Sequence, residues 1–126
     1  MNQDKLNEIL ELHAKWLRDE EGGERADFTG KDLQYAKLNG AKLNGADFTR
    51  ADLQYANLSC ASLQGADFTR ADLRDANLTR ADLNGAGFTR ADLREADLTR
   101  ADLTDADLTG TDLRNANITF AKMTKQ

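Results

Sequence analysis

The 126-residue sequence contains no proline, one cysteine, one histidine and one tryptophan. A single cysteine, Cys60, excludes a disulfide within the chain and is typical of a reducing compartment. No apolar run approaches the length of a membrane-spanning helix. The acidic residues Asp4, Glu8 and Glu11 interrupt the region where a signal peptide would be continuously apolar. These absences predict a cytoplasmic protein with no membrane segment.

An excess of charge of one sign is also lacking. The formal net charge is −5, and residues 1–25 carry 4 basic and 7 acidic side chains. Residues 26–126 carry 13 basic and 15 acidic side chains, so this larger part is nearly neutral. Direct nucleic-acid binding requires a concentration of positive charge that this composition does not supply. We therefore expect no direct binding to nucleic acid.

Side chains with catalytic or metal-binding chemistry are equally scarce. His13 has Glu8 and Asp19 near it in sequence, but a metal site would need a second histidine or a cysteine cluster. We expect His13 to lie at the edge of an N-terminal helix instead. The sequence shows no Ser-His-Asp, Cys-His or glycine-rich phosphate motif. We predict no enzymatic activity, no metal and no cofactor.

A repeat of five residues dominates the rest of the sequence. From Ala26 onward a small residue, nearly always alanine, recurs at every fifth position, broken only by Lys31 and Thr111. A polar residue follows it, usually Asp or Asn, and then a large apolar residue, from Phe28 through Met123. We number the positions of each unit one to five, starting at the small residue. Residues 1–25 are predicted to form a capping helix and linker, and residues 26–125 twenty tandem units.

The period of five residues indicates the fold class. On an α-helix a five-residue step rotates the side chain by about 140°, and on a strand successive leucines would alternate between faces. The large apolar residues at position three can all be buried together only if the chain turns after every unit. If each turn is about 90°, four units close a square. The side chains at positions one and three of each unit then point inward. This predicts an all-β solenoid, a quadrilateral β-helix of about five coils.

Phenylalanine supports a coil of twenty residues. Phe occupies position three at residues 28, 48, 68 and 88, and at no other unit. This interval equals four units, so the aromatic rings should stack in one column. Their expected separation is about 4.8 Å, the distance between adjacent strands.

These units resemble the pentapeptide-repeat family, whose consensus is Ala-Asp/Asn-Leu-x-x, over about four-fifths of the chain. The segment Leu12-His13-Ala14-Lys15-Trp16-Leu17 is similar to the leader of many bacterial members. The resemblance implies a right-handed β-helix. It also implies that fold is better specified than function.

The N-terminal segment is predicted to cap the solenoid. Apolar residues recur at helical spacing over 3–20, and Gly22-Gly23 is expected to end the helix. The predicted apolar face consists of Leu6, Ile9, Leu10, His13, Trp16 and Leu17. Because solenoid ends expose an apolar cross-section, we expect this helix to cover the first coil. A helix that binds a partner is the alternative.

Two outward columns are candidate functional features. Tyr35 and Tyr55 lie one coil apart, and exposed stacked aromatics indicate a contact surface. The predicted partner surface consists of Tyr35, Tyr55, Gln34, Gln54, Lys37 and Asn57. Tyrosines that merely cover a sheet edge are the alternative.

A column of five aspartates is the second feature: Asp32, Asp52, Asp72, Asp92 and Asp112. Such a column could bind a cation or imitate a phosphate backbone. We expect instead a solvated face, balanced by Arg50, Arg70 and Arg90 at the adjacent corner.

The function that these patterns favour is a non-catalytic protein–protein interaction scaffold with an unknown partner. The alternative is a DNA mimic that modulates a bacterial type II topoisomerase, which the family resemblance implies for some members. Those members are more acidic and longer than this chain.

A homodimer through the C-terminal ends is also predicted, because an open solenoid end favours edge pairing and related proteins often dimerise in this way. A monomer whose last coil frays, with the polar tail folded back over it, is the alternative. Its expected interface consists of Leu108, Leu113, Ile118, Phe120 and Met123.

Overall fold

The computed structural model describes residues 1–124. Helix α1 spans Gln3–Leu17, and strands β1 (Asp102–Leu103) and β2 (Lys122–Met123) pair in parallel. The other units of the repeat contribute single-residue bridges, because a turn begins at position three of each unit. Within this part of the chain, no helix has both the length and the apolar character needed to span a membrane.

Residues twenty apart pair in parallel along the repeat. The bridges join position-two residues, from the Asp27–Asp47 pair onward. In one representative unit, Leu73 N–H donates to Asp92 O at 2.8 Å, and Asp92 N–H donates to Ala71 O at 3.0 Å. The interval of twenty residues that the phenylalanines predict is therefore present, and the chain forms a parallel β-helix. Its handedness, square cross-section and count of five coils stay predictions.

Each unit ends in a tight turn. The N–H of position one of the next unit donates to the carbonyl at position three, as Ala76 does to Leu73 at 3.0 Å. From Gly30 to Phe120, position five adopts φ between 57° and 76°, as the third residue of a type II turn requires. Six of these positions hold glycine, the residue that adopts this conformation without strain: Gly30, Gly40, Gly45, Gly65, Gly85 and Gly110.

The core is formed by positions one and three. Alanine at position one and leucine or phenylalanine at position three are buried from Ala46 to Leu103, with exposed fractions of 0–2%. The four phenylalanine rings stack with centroids 4.8–5.0 Å apart, which confirms the predicted column. Each fully buried Leu or Phe contributes about 1.5–3 kcal/mol. Thr111 interrupts the alanine column, and its hydroxyl donates to Phe88 O at 2.7 Å.

Helix α1 is shorter than predicted. The Asn2 side chain caps its start by accepting from Lys5 N–H at 2.8 Å. It ends at Leu17, three residues before the predicted end, in a Schellman motif. In this motif Asp19 adopts φ 56° and Glu20 N–H donates to Lys15 O at 2.9 Å. The Gly22-Gly23 pair is therefore not the helix terminator. A Cβ on Gly23 would collide with the backbone of α1, so glycine there lets the linker return along the helix.

The face of α1 that meets the first coil also differs from the prediction. Leu6 is buried, and Ile9 and Leu10 pack against the core. Trp16 and Leu17 are 41% and 40% exposed, although the Trp16 ring lies beside Gly45 of the first coil. The expectation that His13 lies at the edge of the helix is wrong: His13 is fully buried. A ring with two polar nitrogens is tolerated there because both nitrogens have partners on the chain beneath.

Candidate protein-binding face

The Tyr–Arg face consists of the five stacked units 31–35, 51–55, 71–75, 91–95 and 111–115. Its position-two residues are the aspartates predicted as one column, and the bridges among them confirm that these residues stack. Position four carries Gln34, Gln54, Arg74, Arg94 and Arg114. Position five carries Tyr35, Tyr55, Asp75, Glu95 and Asn115. Because the backbone fixes each unit over the next, the face presents these side chains in straight columns.

The two tyrosines form an exposed stack. Their ring centroids are 5.1 Å apart and their planes differ by 7°. Tyr35 is 68% exposed and Tyr55 49% exposed. Both have φ near 60°, which disfavours any residue with a Cβ by about 1–2 kcal/mol. The stack therefore stands at two positions where glycine would be less strained.

The predicted neighbours of the tyrosines have different roles. Asp52 accepts from Gln34 Nε2 at 2.9 Å and from Gln54 Nε2 at 3.0 Å, so both amides are held beside the rings. Lys37 is exposed. Asn57 is half-buried, and its side chain accepts from Ser59 N–H at 3.0 Å, which leaves it less free to contact a partner.

The C-terminal half of the face carries a ladder of ion pairs. Arg74, Arg94 and Arg114 lie 2.7, 2.6 and 2.7 Å from the aspartates of their own units. Arg74 also reaches Asp92 in the next coil at 3.8 Å, and Arg94 reaches the following aspartate at 3.7 Å. The hydrogen bond from Arg114 lowers the pKa of Asp112 to about 2. The expectation that Arg50, Arg70 and Arg90 balance this column is wrong: within residues 1–124 they make no ion pair with it, and Asp72, Asp92 and Asp112 pair with the position-four arginines instead.

Asp75 and Glu95 continue the tyrosine column. Neither carboxylate makes an ion pair within the described residues, because the neighbouring arginines are held by position-two aspartates. A shallow groove of about 280 Å³ runs beside them, lined by Arg74, Asp75, Arg94, Glu95, Arg114 and Asn115. The column therefore changes from two aromatic rings to two carboxylates without ion-pair partners.

The sequence prediction missed two features of the turns: the hydrogen bond accepted by the position-two side chain and the positive φ at position five. Asp or Asn at position two accepts from the N–H of position four, as Asp47 does from Thr49 at 2.9 Å. This Asx-type turn explains why the repeat prefers those two residue types. The glycines at position five were the sequence signal for the positive φ at that position of the turn.

The predicted dimer residues lie at one end of the β-helix. Leu108 and Leu113 are half-buried. Ile118, Phe120 and Met123 are 47%, 75% and 40% exposed. The Arg100 guanidinium lies 5.1 Å from the centroid of the Phe120 ring, so this ring is covered on one side only.

Metal-binding geometry is absent from the part of the chain that the structure describes: no cluster of three or more His, Cys, Asp and Glu side chains is placed to hold an ion. Cys60 is exposed and unbonded to another cysteine.

A stacked coil with a five-residue period and a hydrophobic interior defines the class of protein, a parallel β-helix built from tandem repeats. Comparison with known families agrees with this class. The family described as pentapeptide repeats matches residues 32–70, 61–100 and 91–125 in eight copies. The chain belongs to the pentapeptide-repeat family. No curated protein sequence matches it.

Several solved structures are similar to the chain. HetL, a protein involved in heterocyst differentiation regulation in the cyanobacterium Nostoc sp. strain PCC 7120, is 35% identical, with a TM-score of 0.74 over 78% of this chain and 47% of HetL. A pentapeptide repeat protein from the Arabidopsis thaliana thylakoid lumen is 40% identical, with a TM-score of 0.71 over 73% of this chain and 64% of that one. This chain therefore spans about half of HetL and under two thirds of the Arabidopsis protein.

A third neighbour is of similar length. It is another pentapeptide repeat protein of Nostoc, 28% identical, with a TM-score of 0.59 over 90% of this chain and 93% of its own.

Proposed function

We propose that the protein is a non-catalytic interaction scaffold of the cytoplasm, a right-handed four-sided β-helix of five coils that binds another protein through its Tyr–Arg face. The observation that carries the proposal is the exposed Tyr35–Tyr55 stack. Tyrosine is enriched at the centres of protein interfaces, because it offers a large apolar area and a hydroxyl with few rotatable bonds. A partner that covers both rings would bury them with little further loss of side-chain entropy.

The charges on the face define the chemistry of the partner. The arginines of the ladder are already bound to carboxylates, so they offer little to a phosphate backbone. Asp75 and Glu95 would repel it. A protein surface with an apolar or guanidinium group over the rings and basic groups over the two carboxylates is complementary. HetL, which shares this fold, is described as regulatory, and this supports a binding role over a catalytic one.

Quantitative affinity purification from the native cell tests this proposal. Wild-type protein is compared with the Tyr35→Ala/Tyr55→Ala variant and with a control, Gln64→Ala/Asn84→Ala. The control removes uncharged polar side chains two faces away. We expect at least one protein to be enriched by the wild type and the control and lost with the tyrosine variant. Equal enrichment by all three would refute the Tyr–Arg face as the binding surface.

We also propose a homodimer through the exposed end that carries Ile118, Phe120 and Met123. The support is their exposure, together with main-chain N–H groups of the same coil, such as those of Leu113 and Ile118, which have no partner within residues 1–124. Unpaired edges of a sheet favour association. Sedimentation at several concentrations should show a dimer that the Ile118→Asp/Phe120→Asp variant abolishes. The control Asn115→Asp adds charge to the side of the same coil and should leave the dimer intact. A wild-type monomer at high micromolar concentration would contradict this proposal.

A further inference from the structure

His13 joins helix α1 to the first coil through both ring nitrogens. Its Nδ1 accepts from the backbone N–H of Ala26 at 2.9 Å. Its Nε2 lies 2.9 Å from the carbonyl oxygen of Asn44. The ring is fully buried and packs against Trp16, with centroids 5.2 Å apart. Ala26 opens the first unit and Asn44 belongs to the fourth, so this one side chain bonds to both ends of the coil.

These two partners allow one protonation state of the ring. A backbone N–H can only donate, so Nδ1 must carry a lone pair. A carbonyl can only accept, so Nε2 must carry the proton. The imidazole is therefore neutral, in the Nε2–H form, and this conclusion follows from the chemistry of the partners alone.

Protonation of Nδ1 would break this arrangement. The new N–H would point at the Ala26 N–H, two donors would oppose each other, and a charge would be buried in a site that cannot solvate it. No carboxylate is bonded to the ring within residues 1–124 to stabilise the cation. The positions three and four residues away on α1 are apolar: Ile9, Leu10, Trp16 and Leu17.

The positive charge of Arg25 also disfavours protonation of the His13 ring. Arg25, on the linker, donates from Nε to Gly45 O at 2.5 Å, which places a cation beside the same end of the coil. Burial lowers the pKa of His13, opposed by the hydrogen bond to Asn44, and the field of Arg25 lowers it further.

We infer that His13 makes the N-terminal cap a pH-sensitive switch: α1 stays on the first coil while the ring is neutral and detaches when the ring is protonated. Detachment would uncover the apolar end formed by Phe28, Leu33, Leu38 and Leu43, which are buried in the closed form. The cap then acts as a reversible cover over a hydrophobic surface, and its opening depends on acidity in the range where histidine titrates.

The sign of the pH dependence follows from linkage. The folded pKa of His13 lies below its ordinary value of 6.5, so the open form binds the proton more tightly. The closed cap is fully stable above about pH 6.5 and loses stability as the pH falls through that value. The opening equilibrium rises by up to about tenfold per pH unit, until the pH reaches the folded pKa.

Hydrogen exchange of the Ala26 amide, corrected for intrinsic rates, tests this inference between pH 7.5 and 5. In the wild type we expect protection to fall by up to about tenfold per pH unit below pH 6.5. In His13→Gln, which cannot titrate, protection should be independent of pH. Leu6→Ala removes apolar packing between α1 and the core. It should lower the protection of the Ala26 amide at every pH and leave the change of protection with pH as in the wild type.

Two results would overturn the switch: a wild-type amide whose protection does not change with pH, or a His13→Gln variant with the wild-type slope. If His13→Gln does not fold, a direct NMR titration of the wild-type ring decides the question. A measured pKa of His13 below 6.5 supports the switch, and a value at or above it contradicts it.

Discussion

Replacing Ala76 by leucine tests the assignment of the interior most severely. Ala76 is 1% exposed and lies in a column with Ala56 above it and Ala96 below. Its backbone cannot shift to make room, because its N–H donates to Leu73 O and its carbonyl accepts from Asp97 N–H, both at 3.0 Å. The three added carbon atoms must therefore displace neighbouring core side chains.

Overpacking of a filled core destabilises by about 1–3 kcal/mol, and we expect Ala76→Leu at or above the upper end. For a chain of this length a loss of about 3 kcal/mol lowers Tm by about 10 °C. The control Asn84→Leu adds the same side chain at an outward position whose N–H bond to Asp82, at 3.2 Å, is kept. Equilibrium urea unfolding and thermal circular dichroism should place the control near the wild type. Equal midpoints for the two variants would refute the inward assignment of position one.

Three further predictions follow from particular residues. Cys60→Gly should raise the free energy of unfolding by about 1 kcal/mol, because Cys60 has φ 57° and its side chain has no hydrogen-bond or disulfide partner within residues 1–124. Thermal unfolding measures this, and an unchanged or lower Tm would contradict it. The pKa of the Asp112 carboxyl should be near 2 by NMR and should rise in Arg114→Gln, which loses the side-chain hydrogen bond but keeps the main-chain one. The stabilising effect of this carboxyl is therefore present above about pH 4 and lost as the pH falls towards 2; an unshifted wild-type value would refute the ion pair. Purified protein should leave gyrase supercoiling unaffected at micromolar concentration, because three carboxylates of the aspartate column, those of Asp72, Asp92 and Asp112, are bound to arginine rather than free. Clear inhibition would favour the DNA mimic.

The repeat could be predicted because its signals are local and redundant. Alanine and leucine at fixed positions specify which side chains are buried, and four phenylalanines specify the pairing interval, as the stacked rings show. Many copies of each signal agree, so an isolated exception such as Thr111 does not obscure the pattern. The glycines at position five were a sequence signal for the turns, but the backbone angles were needed to interpret it.

The cap and the charge pairs depend on geometry that the sequence does not specify. His13 follows the helical pattern of the apolar residues, and only the position of Ala26 and Asn44 beneath it explains why a polar ring is buried. Which arginines neutralise the aspartates depends on the direction in which each side chain leaves its turn. Arg74 and Asp72 lie two residues apart on one face, whereas Arg50 and Arg70, at position five of other units, make no ion pair within residues 1–124.

Photo-crosslinking from the Tyr–Arg face in the native cell tests the proposed function most directly. Benzoylphenylalanine at position 55 replaces Tyr55 by another aromatic side chain, and the same residue at position 84 serves as the control on a different face. The account predicts a discrete crosslinked protein from position 55 that is absent from position 84. The same products from both positions, or a discrete product from position 84 alone, would contradict it.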